Sequence, residues 1–231
     1  MKVEIWSDVM CPFCYIGKRK FENALAQFPH KENIEVIWKS FQLDSTTVTD
    51  PSLNSIEYLA HKKGWSKQQA LETTAHVTNI AKQVGLDFHF DKAVVANSFD
   101  AHRLSHLAKK CGKQNELEEK LFKAYFTEGK NTANHFTLTE IGKELGMDEK
   151  EIMDVLNSST YSKEVEQDIM EAQQIGVRGV PFFVLDRKYA VSGAQESETF
   201  LGALTRAYNE HLNVALEPTA SSCDCSDEGC Q

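Results

Sequence analysis

The chain lacks clustered positive charge and long apolar segments, and both absences narrow its function. Of its 231 residues, 34 are Asp or Glu and 25 are Lys or Arg, which gives a formal net charge of −9. No stripe of Lys and Arg is available to bind the phosphates of nucleic acid. No apolar run approaches the roughly 20 residues that cross a bilayer. We therefore expect neither a nucleic-acid partner nor a membrane partner.

A secretory signal is also missing from the start of the sequence. The segment from Met1 to Ile5 reads as a β-strand and has neither a basic n-region nor a long apolar h-region. With Met1 as the native start, we expect a cytoplasmic protein. Because cytoplasmic thiols are kept reduced, a close pair of cysteines in such a protein is more often catalytic than structural.

The most informative motif is Cys11-Pro12-Phe13-Cys14, which follows a predicted strand and begins a predicted helix. Cys11 would lie at the first turn, where unpaired backbone N–H groups and the helix dipole favour a thiolate. Cys14 is about one turn further on and close enough to form a disulfide with Cys11. Pro12 suits a first helical position, which needs no N–H donor. The pair predicts reversible disulfide chemistry.

Two other roles of the motif stay open. As half of a zinc site the pair needs further ligands, but Cys111 is isolated and the remaining cysteines lie close to the other end of the chain. As a static structural disulfide it closes almost no loop and adds little stability. Redox chemistry is the favoured role, and we expect no bound metal at the pair.

The order of predicted elements indicates an α/β fold. A β-α-β segment comes first, a long run of predicted helices fills the middle, and a β-β-α segment comes last. The first segment is a right-handed crossover with two parallel strands. We predict one sheet domain built from residues 1–50 and 176–214, an inserted helical domain over residues 51–175, and a flexible tail over residues 215–231.

Pro181 begins the apolar strand of the last segment, directly after the Gly-containing stretch from Gly176 to Val180. Proline is disfavoured inside a central strand. A proline that opens a strand after such a loop is a candidate for a cis peptide bond.

This order of elements, with the cysteine pair before the first helix and a proline before the third strand, resembles the thioredoxin fold. The helical insertion between the second and third strands is similar to that of the DsbA branch. Several motifs resemble cytoplasmic FrnE-type members of the DsbA family of thiol–disulfide oxidoreductases. They are Trp6 to Gly17 (WSDVMCPFCYIG), Phe41 to Leu43 (FQL), Ala101 to Leu104 (AHRL), Ala124 to Gly129 (AYFTEG), Gly179 to Phe183 (GVPFF) and Ser192 to Gln195 (SGAQ).

The resemblance implies that Pro181 is cis, packs against the cysteine pair and completes a catalytic set with Cys11 and Cys14. It also implies that the backbone of Val180 pairs with the substrate peptide by strand addition. The partners would be cysteine-containing proteins together with a cellular thiol reductant or oxidant, and a homodimer is one candidate assembly. We assign substrate contacts to Pro12, Phe13, Val180, Phe182 and His102.

A second family with a similar fold suggests an alternative function. Kappa-class glutathione transferases and 2-hydroxychromene-2-carboxylate isomerases use glutathione and generally carry serine where this chain has Cys11. The intact pair argues against that branch. Beyond the redox-active disulfide we expect no cofactor, with glutathione as an additional candidate ligand beside Pro181.

Other residues have both a functional and a structural interpretation. Asp8 is either a proton-transfer group near the pair or a cap at the start of the helix. Lys39 is either a residue near the thiols or an exposed lysine, and the exposed position is favoured. Cys111 is expected to be a buried core cysteine. Trp6, Phe13, Tyr15 and Phe182 are candidates for an apolar rim around the thiols, or for core positions.

The acidic tail holds three further cysteines, Cys223, Cys225 and Cys230. Cys225 and Cys230 form a candidate auxiliary dithiol that relays electrons to or from Cys11 and Cys14. A soft-metal site of thiolates, as in a redox-sensing or metal-binding module, and an unstructured tail without a role are the other two interpretations.

Overall fold

A computed structural model describes residues 1–216, with side chains up to residue 213. The auxiliary cysteines Cys223, Cys225 and Cys230 therefore lie outside the described residues. In chain order the elements are β1 (Lys2–Ser7), α1 (Pro12–Gln27), β2 (Glu35–Ser40), β3 (Asp50–Asn54), α2 (Ser55–Lys63), α3 (Lys67–Gln83), β4 (Val94–Val95), α4 (Phe99–Lys110), α5 (Gln114–Phe126), α6 (His135–Glu144), α7 (Glu149–Leu156), α8 (Ser162–Gln174), β5 (Phe182–Leu185), β6 (Tyr189–Ser192) and α9 (Ser197–Leu216).

The main sheet has the strand order β2-β1-β5-β6. β1 is parallel to β2 and antiparallel to β5, which in turn is antiparallel to β6. The predicted β-α-β and β-β-α segments around a helical insertion are confirmed. The insertion is not wholly helical, because β3 and β4 pair as a small antiparallel ribbon.

β1 is the most deeply buried strand, with every residue from Val3 to Ser7 buried. One face of the sheet is covered by α1 and α9, where the Phe183 ring lies 5.4 Å from Phe21 and 4.6 Å from Phe200 between centroids. The other face is covered by α8. The Trp6 indole donates a hydrogen bond to the backbone oxygen of Asp168 on that helix, at 2.9 Å.

The inserted helices share their core with α1. The Tyr15 ring stacks on Phe122 of α5 at 5.0 Å and lies 5.9 Å from Phe88. These contacts join the insertion to the helix that carries the cysteine pair. The predicted division into domains at residues 50 and 176 stays a prediction.

Lys39 is not the exposed lysine that the sequence suggested. Its ammonium lies 2.5 Å from Asp168 Oδ1 and 3.0 Å from Glu171 Oε2, and only 16% of its side chain is exposed. The Asp168 carboxylate also accepts a hydrogen bond from the Ser40 backbone N–H at 2.9 Å and lies 3.2 Å from His106 Nε2. Because α8 packs on this side of β2, a lysine there lies in an interface rather than in solvent.

Asp168 is therefore expected to hold α8 on the sheet. Burial raises its pKa, but hydrogen bonds from His106, Lys39 and the Ser40 amide outweigh burial and lower the pKa. We expect Asp168→Ala to reduce the free energy of unfolding by about 1–3 kcal/mol at neutral pH, because the buried Ser40 amide loses its acceptor and Lys39 keeps only Glu171 as a partner. Urea titrations of both proteins measure the difference.

A lowered pKa in the folded state means that Asp168 stabilises the fold above its unfolded pKa and loses this effect as pH falls through the folded value. The gap between the two proteins should therefore shrink in acid. Asp154→Ala is the control, since that carboxylate pairs with Lys150 on the open surface and its loss should leave the unfolding curve unchanged. Equal effects of the two substitutions would contradict the assignment.

Candidate active site

Cys11 lies at the start of α1, and its thiol neither caps the helix nor forms a disulfide. It is the N-cap residue of the helix, and its side chain makes no capping hydrogen bond. The backbone N–H of Cys11 donates to the Asp8 oxygen at 2.9 Å, and that of Cys14 donates to the Cys11 oxygen at 3.0 Å. Both cysteines are unbonded thiols in this structure. The thiol of Cys11 is thus at the positive end of a helix of 16 residues.

Cys14 is as deeply buried as Cys11, at 1% exposed against 3%. Burial raises the pKa of Cys14 well above its usual value, and the neighbouring Cys11 raises it further. The Ser7 side chain and the backbone N–H of Asp8 oppose this rise and lower the pKa of Cys14. Cys14 is therefore the thiol that needs help to ionise.

The loop before β5 forms the opposite wall of the site. The Val180–Pro181 peptide bond is cis. The Cys11 thiol donates to the Val180 oxygen at 3.5 Å, across 169 positions of sequence. Pro181 is buried, while Val180 is partly exposed. The fold thus brings together Cys11, Cys14 and Pro181, the three residues that the sequence placed in the catalytic set.

Gly17 makes this approach possible, a role that the sequence analysis did not assign to it. A β-carbon built on Gly17 would lie 2.9 Å from Pro181 Cγ and 3.5 Å from Ala194 Cβ. Any larger residue at this point of α1 would push the proline away. The available signal was a glycine inside a helix, which is unfavourable unless another chain segment approaches closely.

Asp8 is not the cap of α1, because Cys11 holds that position. The Asp8 carboxylate is 2% exposed and accepts backbone hydrogen bonds from Met10 at 3.2 Å and from Leu43 at 2.8 Å. It ties the segment before α1 to the segment after β2. Asp8 therefore fixes the shape of the loop that leads into the cysteine pair.

The sequence suggested that His102 contacts the substrate, but the structure places its side chain away from the surface. It is 3% exposed, and its Nε2 lies 3.8 Å from Asp8 Oδ1 without a hydrogen-bond partner among the described residues. Burial lowers the pKa of His102, but the nearby Asp8 and Glu118 carboxylates raise it, and the net direction is upward. His102 therefore lies behind the site and not at its surface.

The four candidate aromatic residues divide into two groups. Trp6 and Tyr15 are 0% and 2% exposed and belong to the core. Phe13 is 41% exposed, and Phe182 is partly exposed. Phe13 and Phe182 are thus the apolar side chains that a substrate can reach, together with Pro12, which is also partly exposed.

Cys111 was predicted to be buried, and this is wrong. It is exposed, at the C-terminal cap of α4. The apolar face of that helix ends with Leu107 and Ala108, so the turn that carries Cys111 lies at the surface.

Residues 1–216 contain neither a cluster of metal ligands nor a membrane-spanning helix. Within that range no group of three or more His, Cys, Asp or Glu side chains is arranged to hold a metal ion. No helix of the same range is long and apolar enough to cross a membrane.

Comparison with known proteins relates this geometry to a family. The family model for the DSBA-like thioredoxin domain matches residues 2–205 of this chain. The crystal structure of a probable DsbA oxidoreductase from Streptomyces coelicolor is 40% identical, covers 91% of each chain and gives a TM-score of 0.84.

Two more distant structures share the fold alone. A 2-hydroxychromene-2-carboxylate isomerase is 14% identical, with a TM-score of 0.66 over 93% of this chain and 99% of its own. The cytosolic disulfide reductase DsbM from Pseudomonas aeruginosa is 16% identical, with a TM-score of 0.63 over 93% and 100%. DsbM has also been solved with GSH.

Gly17→Ala tests the contact between α1 and the Pro181 loop. The added methyl group should displace Pro181, lower the free energy of unfolding by about 1–3 kcal/mol and slow turnover of a disulfide substrate by at least about tenfold. Gly202→Ala in α9 is the matched control, because a β-carbon there meets nothing within 4 Å. That change should stabilise the fold by roughly 0.5–1 kcal/mol and leave turnover unchanged. The expectation fails if both substitutions have the same effect on turnover.

Proposed function

This chain belongs to the DSBA-like thioredoxin domain family, and we propose that it exchanges disulfides with cysteine-containing protein substrates through Cys11 and Cys14. One observation carries the proposal. The Cys11 thiol lies at the start of α1 and faces the Val180 oxygen at 3.5 Å, with Cys14 buried one turn behind it. That arrangement leaves one thiol for the substrate and one for resolution.

In the reducing direction, Cys11 attacks first. As a thiolate it forms a new S–S bond with one sulfur of the substrate disulfide and expels the other sulfur as a thiolate. Cys14 then loses its proton, bonds to Cys11 and releases the second substrate thiolate. The substrate gains two electrons, and the pair is oxidised to a disulfide. In the oxidising direction the same steps run backwards.

The Val180 backbone is proposed to position the substrate. A peptide that lies extended along Val180 and pairs with its backbone places its own cysteine beside Cys11. The exposed ring of Phe13 and the partly exposed Phe182 offer apolar contacts on either side. Such contacts depend little on the amino-acid sequence of the substrate, which suits an enzyme that acts on cysteines in many proteins.

A cellular thiol reductant or oxidant must return the pair to its starting state. We propose the cytoplasm as the compartment and glutathione as a candidate recycling thiol. The second candidate function is a glutathione-dependent transfer or isomerisation of small molecules. The shared fold of the 2-hydroxychromene-2-carboxylate isomerase favours it, whereas the paired thiols favour disulfide exchange.

Substitution of each thiol separates these functions. Cys11→Ser should reduce turnover of a disulfide-bonded protein such as insulin to the uncatalysed rate, because the attacking sulfur is gone. Cys14→Ala should retain the first attack and accumulate a mixed disulfide at Cys11, which mass spectrometry of acid-quenched protein detects. Cys111→Ser serves as the control, since that thiol is exposed at the end of α4, and it should behave as the wild type.

Two results would count against the proposed function. Full turnover in Cys11→Ser would remove Cys11 from the mechanism. Glutathione-conjugating activity that survives in Cys14→Ala would support the transferase function instead.

The direction of exchange depends on the reduction potential of the pair. Equilibration with defined ratios of reduced and oxidised glutathione, followed by alkylation and mass spectrometry, measures it. A value close to about −270 mV indicates a reductase, and a value close to about −120 mV indicates an oxidase.

A further inference from the structure

Ser7 carries a buried hydroxyl group that has no hydrogen-bond partner among the described residues. It is the last residue of β1, it is 2% exposed, and its Oγ forms no hydrogen bond with an oxygen, nitrogen or sulfur atom of residues 1–213. Buried hydroxyl groups nearly always form hydrogen bonds, because an unpaired one loses its contacts with water and gains nothing. Ser7 therefore needs an explanation that the fold alone does not supply.

The neighbouring strand shows how such a hydroxyl is normally satisfied. Ser40 pairs with Ser7 in the parallel register of β1 and β2 and is equally buried, at 3% exposed. The Ser40 Oγ lies 3.2 Å from His106 Nε2, within hydrogen-bond distance. The two serines thus share strand position, burial and type, and differ in what their hydroxyl groups face.

The Ser7 hydroxyl lies beside the thiol of Cys14 but forms no hydrogen bond with it in this structure. The Ser7 side chain and the backbone N–H of Asp8 both lower the pKa of Cys14, against the burial that raises it. Consecutive residues at the end of β1 therefore place two donors beside one sulfur. A neutral thiol gains little from two donors, whereas a thiolate gains a hydrogen bond from each.

We propose that the Ser7 hydroxyl and the Asp8 backbone N–H form a binding site for the Cys14 thiolate in the step that resolves the mixed disulfide. In that step Cys14 gives its proton to solvent base and bonds through its sulfur electron pair to Cys11. The bond between Cys11 and the substrate breaks, and the substrate leaves as a thiolate. The inference rests on the proposed function and adds a catalytic residue to it.

Most of the ionisable groups around Cys14 are committed to other partners. The Asp8 carboxylate accepts from two backbone amides, and the Lys18 ammonium pairs with Glu22 and Glu119. The Glu118 carboxylate on α5 accepts from Ser105 at 2.7 Å. Two groups lack a hydrogen-bond partner in the described part of the chain, the Ser7 hydroxyl and His102 Nε2, which lies 3.8 Å from Asp8 Oδ1.

The resolving step can be timed separately from the first attack. Mixing the reduced protein with the chromogenic disulfide dithiobis-nitrobenzoate releases one coloured thiolate when Cys11 attacks and a second when Cys14 resolves the adduct. Stopped-flow absorbance from about pH 6 to about pH 10 follows both phases, a range that extends above the ordinary thiol pKa because burial raises the pKa of Cys14. Cys14→Ala removes the second phase and leaves only the first attack and the reaction of the other cysteines, which identifies the second phase by difference.

We expect Ser7→Ala to leave the first phase unchanged, to slow the second phase roughly tenfold at neutral pH and to raise its pH midpoint by about one unit, as for loss of one hydrogen bond to a charged group. Ser40→Ala, the matched control, should leave both phases and the midpoint unchanged. A general structural defect would instead slow both phases in either variant.

The outcomes distinguish the inference from the function it rests on. If Cys11 releases no coloured thiolate in the wild type, the proposed function itself fails. If the first phase is normal and Ser7→Ala leaves the second phase and its midpoint as they are, or makes the second phase faster, Ser7 does not bind the thiolate and the inference is overturned.

Discussion

The close approach of α1 to the Val180–Pro181 loop is the contact on which the site depends. It has room because residue 17 has no β-carbon that would meet the Pro181 ring. Through this contact, the thiol at the start of the helix meets a backbone oxygen that is 169 positions away in sequence. The sheet supports both sides, since β1 leads into α1 and β5 follows Pro181 as its antiparallel neighbour.

Buried polar groups in this fold are either fully hydrogen-bonded or left without a partner, depending on where they lie. Between β2 and α8 the Asp168 carboxylate has every partner it needs, and it acts as a rigid link. Behind the cysteine pair the groups are left underpaired, as at His102 Nε2 and Ser7 Oγ. A fully paired network resists change of protonation, whereas an underpaired one responds when a neighbour gains or loses charge. The second kind lies where a thiol must ionise during turnover.

Local patterns in the sequence were sufficient for the central features. The spacing of Cys11 and Cys14, the proline opening a strand and the order of strands and helices depend on neighbours within a few residues, and each of these is found in the structure. Lys39 and Cys111 were misplaced because their burial depends on which distant helix covers a strand and where a helix turn ends. Ser7 and Gly17 went unassigned for the same reason. The role of a serine at a strand end or of a glycine in a helix depends on the atoms that the fold places next to it.

The separation of Cys11 from Val180 along the sequence also has a consequence during synthesis of the protein on the ribosome. A ribosome adds about 5–20 residues each second, so roughly ten to thirty seconds pass between synthesis of the cysteine pair and synthesis of the loop that will contact it. Throughout that interval the pair has no opposite wall. Small oxidants can reach both thiols during this time, and synthesis of the last third of the chain then supplies the backbone oxygen that the Cys11 thiol faces.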